Sequence, residues 1–141
     1  MDNERYEQKL DAILARDDRY ARDAYLFVAD AVTYTSRNMR QQAEDGRETH
    51  HITGRQLLDG IREYALEQFG PLALDVLADW GIAATEDIGN IVFAMVGEGL
   101  LGASEEDSPR DFADVYDLRE TLLRPFAAPA EPDPAERPKI A

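Results

Sequence analysis

The sequence predicts a mainly α-helical fold, one compact domain of five or six helices, and two kinds of signal carry that prediction. Apolar residues recur at the three- and four-residue spacing of a helix face, and capping and stop signals separate the helical stretches. The chain has 141 residues, 44% hydrophobic and 31% charged, enough for a core of its own. We therefore expect one helical domain over residues 1–124. A Pro-rich, disordered tail is expected over 125–141, where five prolines fall among seventeen residues.

The first two helices are predicted from apolar periodicity. A helix over 3–16 carries apolar residues at i, i+4, i+7 and i+8, namely Tyr6, Leu10, Ile13 and Leu14. Asp17 and Asp18 offer an N-cap for a longer helix over 19–44, and its wide apolar face indicates a central position in the fold. The polar segment 41–49 contains Gly46 and is expected to be a loop.

The third and fourth helices have the clearest boundary signals. Thr53 and Gln56 have the spacing of a capping box, so a helix is expected to start after Thr53. Gly70 ends this helix and Pro71 suits the first turn of the next, which runs to the neighbourhood of Trp80.

The last helices are predicted from two further caps. Thr85 is expected to cap the fifth helix, and Asp117 and Glu120 have capping-box spacing for a short sixth helix. The fourth and fifth helices resemble a helix-turn-helix, and the segment after Leu101 resembles the start of a winged helix. A small β-hairpin after Leu101 is therefore the main structural alternative.

The balance of charge disfavours several classes of function. Net charge is −14, and the sequence has no Lys or Arg between Arg62 and Arg110. This balance of charge disfavours nucleic-acid binding, because carboxylates repel phosphates. The chain has no cysteine, its longest apolar run is Ile91–Val96, and its start lacks the apolar core of a signal peptide. These features predict a soluble, acidic, cytoplasmic protein that does not span a membrane.

The fifth helix lacks the side chains of a DNA recognition helix, although the fourth and fifth helices resemble a helix-turn-helix. It offers Glu86, Asp87, Asn90 and Glu98 and no basic residue, whereas phosphate contacts need Lys or Arg. A winged-helix-like, transcription-associated protein that binds another protein stays open as an alternative.

The two histidines, His50 and His51, are adjacent and lie near Asp45 and Glu48. Two metal ligands on one element usually have a spacing at which both side chains point the same way. Adjacent residues of an extended chain point to opposite sides instead. The bland interpretation is a polar loop leading into the Thr53 cap. The alternative is a small metal-dependent enzyme that uses the His50/His51 loop. The sequence identifies no cofactor and no catalytic constellation.

One stretch, Thr53 to Leu101, supports a resemblance. It includes Gly-Ile-Arg-Glu-Tyr-Ala-Leu-Glu-Gln-Phe-Gly-Pro over 60–71, Trp80-Gly81-Ile82, and Thr85-Glu86-Asp87-Ile88-Gly89. The chain resembles a small bacterial family of helical proteins without an assigned activity, over roughly residues 20–120. The resemblance implies one compact domain and supplies no catalytic residues.

The function predicted is a non-catalytic, acidic protein-interaction or regulatory module. Its charged rim is expected from five acidic residues: Glu98, Glu105, Glu106, Asp107 and Asp111. Charge at such a rim speeds association with a basic partner protein. Homo-oligomerisation is compatible with the sequence.

Overall fold

The computed structural model describes residues 2–42 and 51–127, and the described part is built from helices and turns without a strand. Its α-helices are α1 (Asp2–Arg16), α2 (Arg22–Gln42), α3 (Gly54–Phe69), α4 (Ala73–Asp79), α5 (Thr85–Gly97) and α6 (Leu118–Leu123). Short 3-10 helices lie at Gly70–Leu72, Pro109–Phe112 and Arg124–Phe126. The prediction of a mainly helical protein is confirmed.

The core forms where α2, α3 and α5 meet, and the shorter elements cover its ends. α1 contributes Leu10 and Ile13, which are fully buried. The largest fully buried side chains of the three central helices are Tyr25, Leu58, Ile61, Ile88, Ile91 and Met95. Burial of this apolar surface is the main source of stability, because the hydrophobic effect scales with the apolar area removed from water.

The start of α3 matches the capping box expected from the sequence. The Thr53 hydroxyl accepts the Gln56 amide hydrogen at 3.1 Å, and the Thr53 amide donates to the Gln56 side chain at 2.9 Å. Two amides that a helix start leaves without partners are thus satisfied.

The start of α5 differs from the expectation. Thr85 does not cap the helix; it is the first helical residue and is buried, and its hydroxyl accepts the Val115 amide hydrogen at 3.2 Å. Asp87 takes the capping role from within the helix, because its Oδ2 accepts the amides of Ala83 at 2.9 Å and Ala84 at 3.0 Å. The prediction missed this because the acceptor lies after the helix start.

Two chain corners lock against each other beside α5. The Ala21 amide donates to the Trp80 carbonyl at 3.1 Å, which joins the α1–α2 turn to the α4–α5 turn. Gly81 has a φ of 95° and lies against the Arg19 carbonyl oxygen. The Tyr20 hydroxyl donates to Asp87 at 2.6 Å. α2 begins only after this corner, at Arg22 rather than at residue 19.

The alternative of a small β-hairpin after Leu101 is not supported, because residues 102–127 form turns and short helices without a strand. Local hydrogen bonds close two consecutive turns there, with Asp107 accepting the Ser104 amide at 2.8 Å and Asp111 accepting the Ser108 amide at 3.0 Å. Such side chain-to-backbone bonds compete with strand pairing.

The chain then returns to the core. Phe112 is buried, and the Tyr116 hydroxyl donates to the Leu58 carbonyl at 2.6 Å. Asp117 caps α6 as predicted, by accepting the Glu120 amide at 3.0 Å.

Two predictions fall largely on residues outside the described ranges. The loop predicted over 41–49 overlaps 43–50, and the Pro-rich tail includes 128–141. Pro125 itself lies in the 3-10 helix Arg124–Phe126.

Candidate functional site

A groove of about 540 Å³ opens between α2, the start of α3 and α5, and the segment after α5 forms its far wall. Its apolar lining includes Val32, Ile52, Leu57, Val92, Phe93, Leu101 and Phe112. Polar side chains at its edge include Ser36, His51, Thr53, Ser104 and Asp107. A volume of this size with an apolar lining and a few polar groups is typical of a binding site.

The floor of the groove is fixed by Phe112. This ring packs edge-to-face on Phe93, with centroids 6.1 Å apart, and it lies on two glycines, Gly54 of α3 and Gly89 of α5. The floor residues differ in exposure, since Leu57 and Phe112 are buried whereas Phe93 is half-buried and accessible from the groove. The groove therefore has a rigid base and an apolar surface that a ligand can contact.

The far wall is an acidic turn over residues 104–107. The Asp107 amide donates to the Ser104 carbonyl at 3.1 Å. In return, Asp107 Oδ2 accepts the Ser104 amide, and the Ser104 hydroxyl is 3.3 Å from the same oxygen. Glu105 and Glu106, the two central residues of this turn, are exposed to solvent. The sequence already holds the signal for it, a Ser three residues before an Asp.

The structure brings one histidine to this wall. His51 Nε2 lies 3.2 Å from Asp107 Oδ1, although the two residues are 56 positions apart in the sequence. The Asp107 side chain is 18% exposed and that of His51 is 49% exposed. Since Asp107 Oδ2 is held by Ser104, the carboxylate is fixed in place and orients the imidazole at the edge of the groove.

The five acidic residues predicted as a rim do not form one set. Glu105 and Glu106 are exposed on the acidic turn, and Asp107 is tied to His51 and Ser104. Asp111 belongs to the next turn, where it accepts the Ser108 amide. Glu98 instead forms an ion pair with Arg16 of α1. The residues left with their charge directed to solvent are therefore Glu105 and Glu106.

A metal centre is not supported by the side chains that the structure describes. Among residues 2–42 and 51–127, no group of three or more His, Asp or Glu side chains is arranged to hold a metal ion. His51 and Asp107 supply two candidate ligands, fewer than a protein metal site uses. His50, the other candidate from the sequence, lies outside the described residues.

Within the described ranges, no helix is both long and apolar enough to pass through a bilayer. Comparison of the chain with protein-family models, with curated proteins and with solved structures gives no match. The resemblance to a small bacterial family thus stays a proposal, and any proposal about function has to rest on the groove and the surfaces around it.

Proposed function

We propose that this protein is a non-catalytic interaction module that binds a basic segment of a partner protein in the groove between α2, α3 and α5. The observation that carries the proposal is the combination of an accessible apolar floor with an acidic wall, where Glu105 and Glu106 face solvent beside the groove. An apolar side chain of the partner would enter the groove, and neighbouring cations would lie along the wall.

Two physical terms support this arrangement. Covering the half-buried Val32, Phe93 and Leu101 removes apolar surface from water, which favours binding by roughly 25 cal/mol for each Å² covered. The acidic wall belongs to a chain of net charge −14, whose field attracts cationic partners and raises their association rate.

The test uses two short fluorescent peptides that share one leucine-containing amphipathic pattern. One carries Lys and Arg, and the other has Gln at those positions. We expect the basic peptide to bind more tightly and to lose affinity as salt is raised, since screening weakens charge attraction. Equal affinity of the two peptides would contradict the proposal.

Variants then locate the site. Phe93→Ala should weaken binding of the basic peptide by removing part of the floor. The double variant Glu105→Gln/Glu106→Gln should slow its association. A matched control, Glu4→Gln with Asp75→Asn, removes two exposed carboxylates from α1 and α4 and should leave the association rate close to that of the wild type. Equal effects of both double variants would mean that net charge, and not the groove, attracts the peptide.

A second candidate function is supported by the contact between His51 and Asp107 at the groove edge. A carboxylate that orients an imidazole is one way in which proteins position a general base. In this candidate, His51 would take a proton from a water molecule whose oxygen bonds to the carbonyl carbon of a p-nitrophenyl ester in the groove. The bond to p-nitrophenolate would then break, and the carboxylic acid would form. Turnover of p-nitrophenyl esters that is lost in His51→Gln would support this candidate, and equal turnover by the wild type and the variant would oppose it.

The packing of α5 argues against the alternative of a transcription-associated protein that binds DNA. This helix is in contact with α1, α2, α3 and the 3-10 helix Pro109–Phe112, so much of its surface is covered. A helix that enters a DNA groove needs a free face with basic or amide side chains.

A further inference from the structure

Five aromatic side chains form a continuous row across α2, α3 and the end of α4. We call it the aromatic row, and its members are Phe27, Tyr34, Tyr64, Phe69 and Trp80. Each ring contacts the next, with centroid separations from 5.0 Å for Tyr34–Tyr64 to 5.8 Å for Phe27–Phe69. Contacts at these distances stabilise the helices that carry them.

The row is accessible from solvent on one side. Phe27 is 5% exposed and backs the other members, whereas Tyr34, Tyr64, Phe69 and Trp80 are half-buried. Leu72, in the 3-10 helix after α3, is 61% exposed and adds an apolar side chain near this end of α3. Four neighbouring aromatic side chains that are each incompletely buried leave apolar surface that a partner can cover.

Carboxylates border the tyrosine end of the row. Asp30 lines a shallow groove together with Tyr34 and Tyr64, and Glu63 and Glu67 are exposed on α3 beside them. Burial raises the pKa of Tyr64, and the carboxylates of Asp30 and Glu67 raise it further, which reflects how close they lie to the ring. Arg37 is the basic residue that lines this groove. Because Arg62 forms an ion pair with Glu63, the negative charge beside the tyrosines comes mainly from Asp30 and Glu67.

The row is separate from the groove described above. On α2, Val32 and Ser36 face that groove, whereas Tyr34 belongs to the row and lies about 160° around the helix from each of them at 100° per residue. A ligand on the row would thus leave the groove of Phe93 and Phe112 free.

We propose that the aromatic row is a second interaction surface that binds an arginine-containing segment of another protein. A guanidinium stacks on the face of a Tyr or Trp ring, and the ring quadrupole attracts its charge. The nearby carboxylates complement that charge and favour a cation over a neutral side chain. In the described ranges, 2–42 and 51–127, a guanidinium lies over the ring of Tyr20 and none over the rings of the row.

Trp80 is the only tryptophan in the sequence, so its fluorescence reports on the row directly. The probes are a short arginine-rich peptide, its lysine counterpart and its citrulline counterpart, which keeps the shape of arginine without the charge. We expect the arginine peptide to change Trp80 emission and to bind about tenfold more tightly than the citrulline peptide. An unchanged emission or equal affinities would overturn the proposal.

Variants separate the row from general attraction to an acidic protein. Tyr34→Leu/Tyr64→Leu keeps apolar bulk and should weaken binding of the arginine peptide roughly fivefold. The control Tyr6→Leu changes a half-buried tyrosine of α1 and should have little effect. Circular dichroism of each variant verifies that it folds. A second check leaves the tyrosines intact: Glu63→Gln/Glu67→Gln should weaken binding, and the control Glu4→Gln/Asp75→Asn should not.

Two further outcomes would overturn the proposal for the row. Loss of binding in Glu105→Gln/Glu106→Gln alone would assign the peptide to the groove and overturn the proposal for the row. Sedimentation that detects a dimer, lost in Tyr34→Leu/Tyr64→Leu, would identify a second copy of the chain as the occupant and would overturn it as well. The groove is tested by Phe93→Ala and Glu105→Gln/Glu106→Gln, whereas the row is tested by Trp80 emission and Tyr34→Leu/Tyr64→Leu. Either proposal can therefore fail without the other.

Discussion

The two ends of α5 are built in opposite ways. At the start, Asp87 accepts the amides of Ala83 and Ala84 and the hydroxyl of Tyr20, and Gly89 lies against Phe112. At the other end, a side chain added at Gly97 would meet nothing within 4 Å, and the ion pair from Glu98 to α1 lies on the surface. Close packing and side-chain bonds to distant residues hold the first end. The second end, beyond the buried Met95, is held by local backbone bonds and by the surface ion pair of Glu98.

The difference teaches how the groove combines a fixed floor with an adjustable wall. Val92 and Phe93 line the groove from the middle of α5, between the two ends of this helix. The floor rests on Phe112, and the wall after Leu101 is tied mainly by hydrogen bonds within its own turns. Regions with fewer buried contacts open at lower free energy, so adaptation to a partner is expected in the wall.

The largest change in stability is expected when a methyl group is added at Gly89, in the tightly packed half of α5. In Gly89→Ala, the new methyl would lie 2.8 Å from Phe112 Cβ and 2.9 Å from its Cγ, so the ring or the helix must move. We expect a loss of about 3 kcal/mol in the free energy of unfolding, as for overpacked cores. Chemical denaturation measures it. A variant as stable as the wild type would show that this end is not tightly packed.

A smaller loss is expected when the cap of α5 is removed. Asp87→Ala takes away the acceptor for Ala83, Ala84 and Tyr20 together, and we expect about 2 kcal/mol of destabilisation. The control is Glu86→Ala, which changes an exposed carboxylate in the same first turn. If both variants lost the same stability, the dipole of the helix would matter more than these bonds.

The same bond network predicts a response to high pH. Burial raises the pKa of Tyr20 from 10.0 to about 12, with its bond to Asp87 adding to the effect. The folded protein therefore holds the phenol proton more tightly than the unfolded chain does. This contribution to stability is complete below pH 10 and is lost as the pH rises towards 12.

The variant Tyr20→Phe tests this response. It should lose roughly 1 kcal/mol at neutral pH, because Asp87 and Asn90 lose a partner. Its stability should then fall less steeply than that of the wild type between pH 10 and 12. Parallel pH profiles of the two proteins would assign the alkaline loss to other tyrosines, such as the partly buried Tyr116, whose pKa is also raised by desolvation.

The open end of α5 gives the smallest effect and the opposite sign. Gly97→Ala adds a methyl in open space at the last helical residue, and alanine favours the helix over glycine. We expect a gain of about 0.5 kcal/mol. It is the matched control for Gly89→Ala, because the same substitution is made in the same helix. Destabilisation by Gly97→Ala would show that the two ends are more alike than their contacts indicate.

The sequence was most informative where the structure is local. The capping box of Thr53 and Gln56 and the cap at Asp117 follow from spacings within one turn, and both are present. The turns at Ser104 and Ser108 have the same kind of spacing, with an aspartate three residues later. That signal could have replaced the β-hairpin in the prediction.

Contacts between distant segments could not be read from the sequence. Thr85 has the residue type of a cap, but the amide that needs its hydroxyl belongs to Val115, thirty positions later. The pairing of His51 with Asp107 depends on how α3 and the acidic turn meet. The partial exposure of Tyr64 and Trp80 depends on how α2, α3 and α4 pack against one another.

The contact between Gly81 and Arg19 limits which residues position 81 can accept during evolution. A side chain at position 81 would meet the carbonyl oxygen of Arg19, which is part of the backbone whatever residue stands there. A second substitution at position 19 therefore cannot relieve the clash. A clash with a side chain, as between positions 89 and 112, can be relieved by a smaller residue at the second position. Among related chains, position 81 should therefore remain glycine without covarying with position 19, and a suppressor screen started from Gly81→Ala should return revertants to glycine.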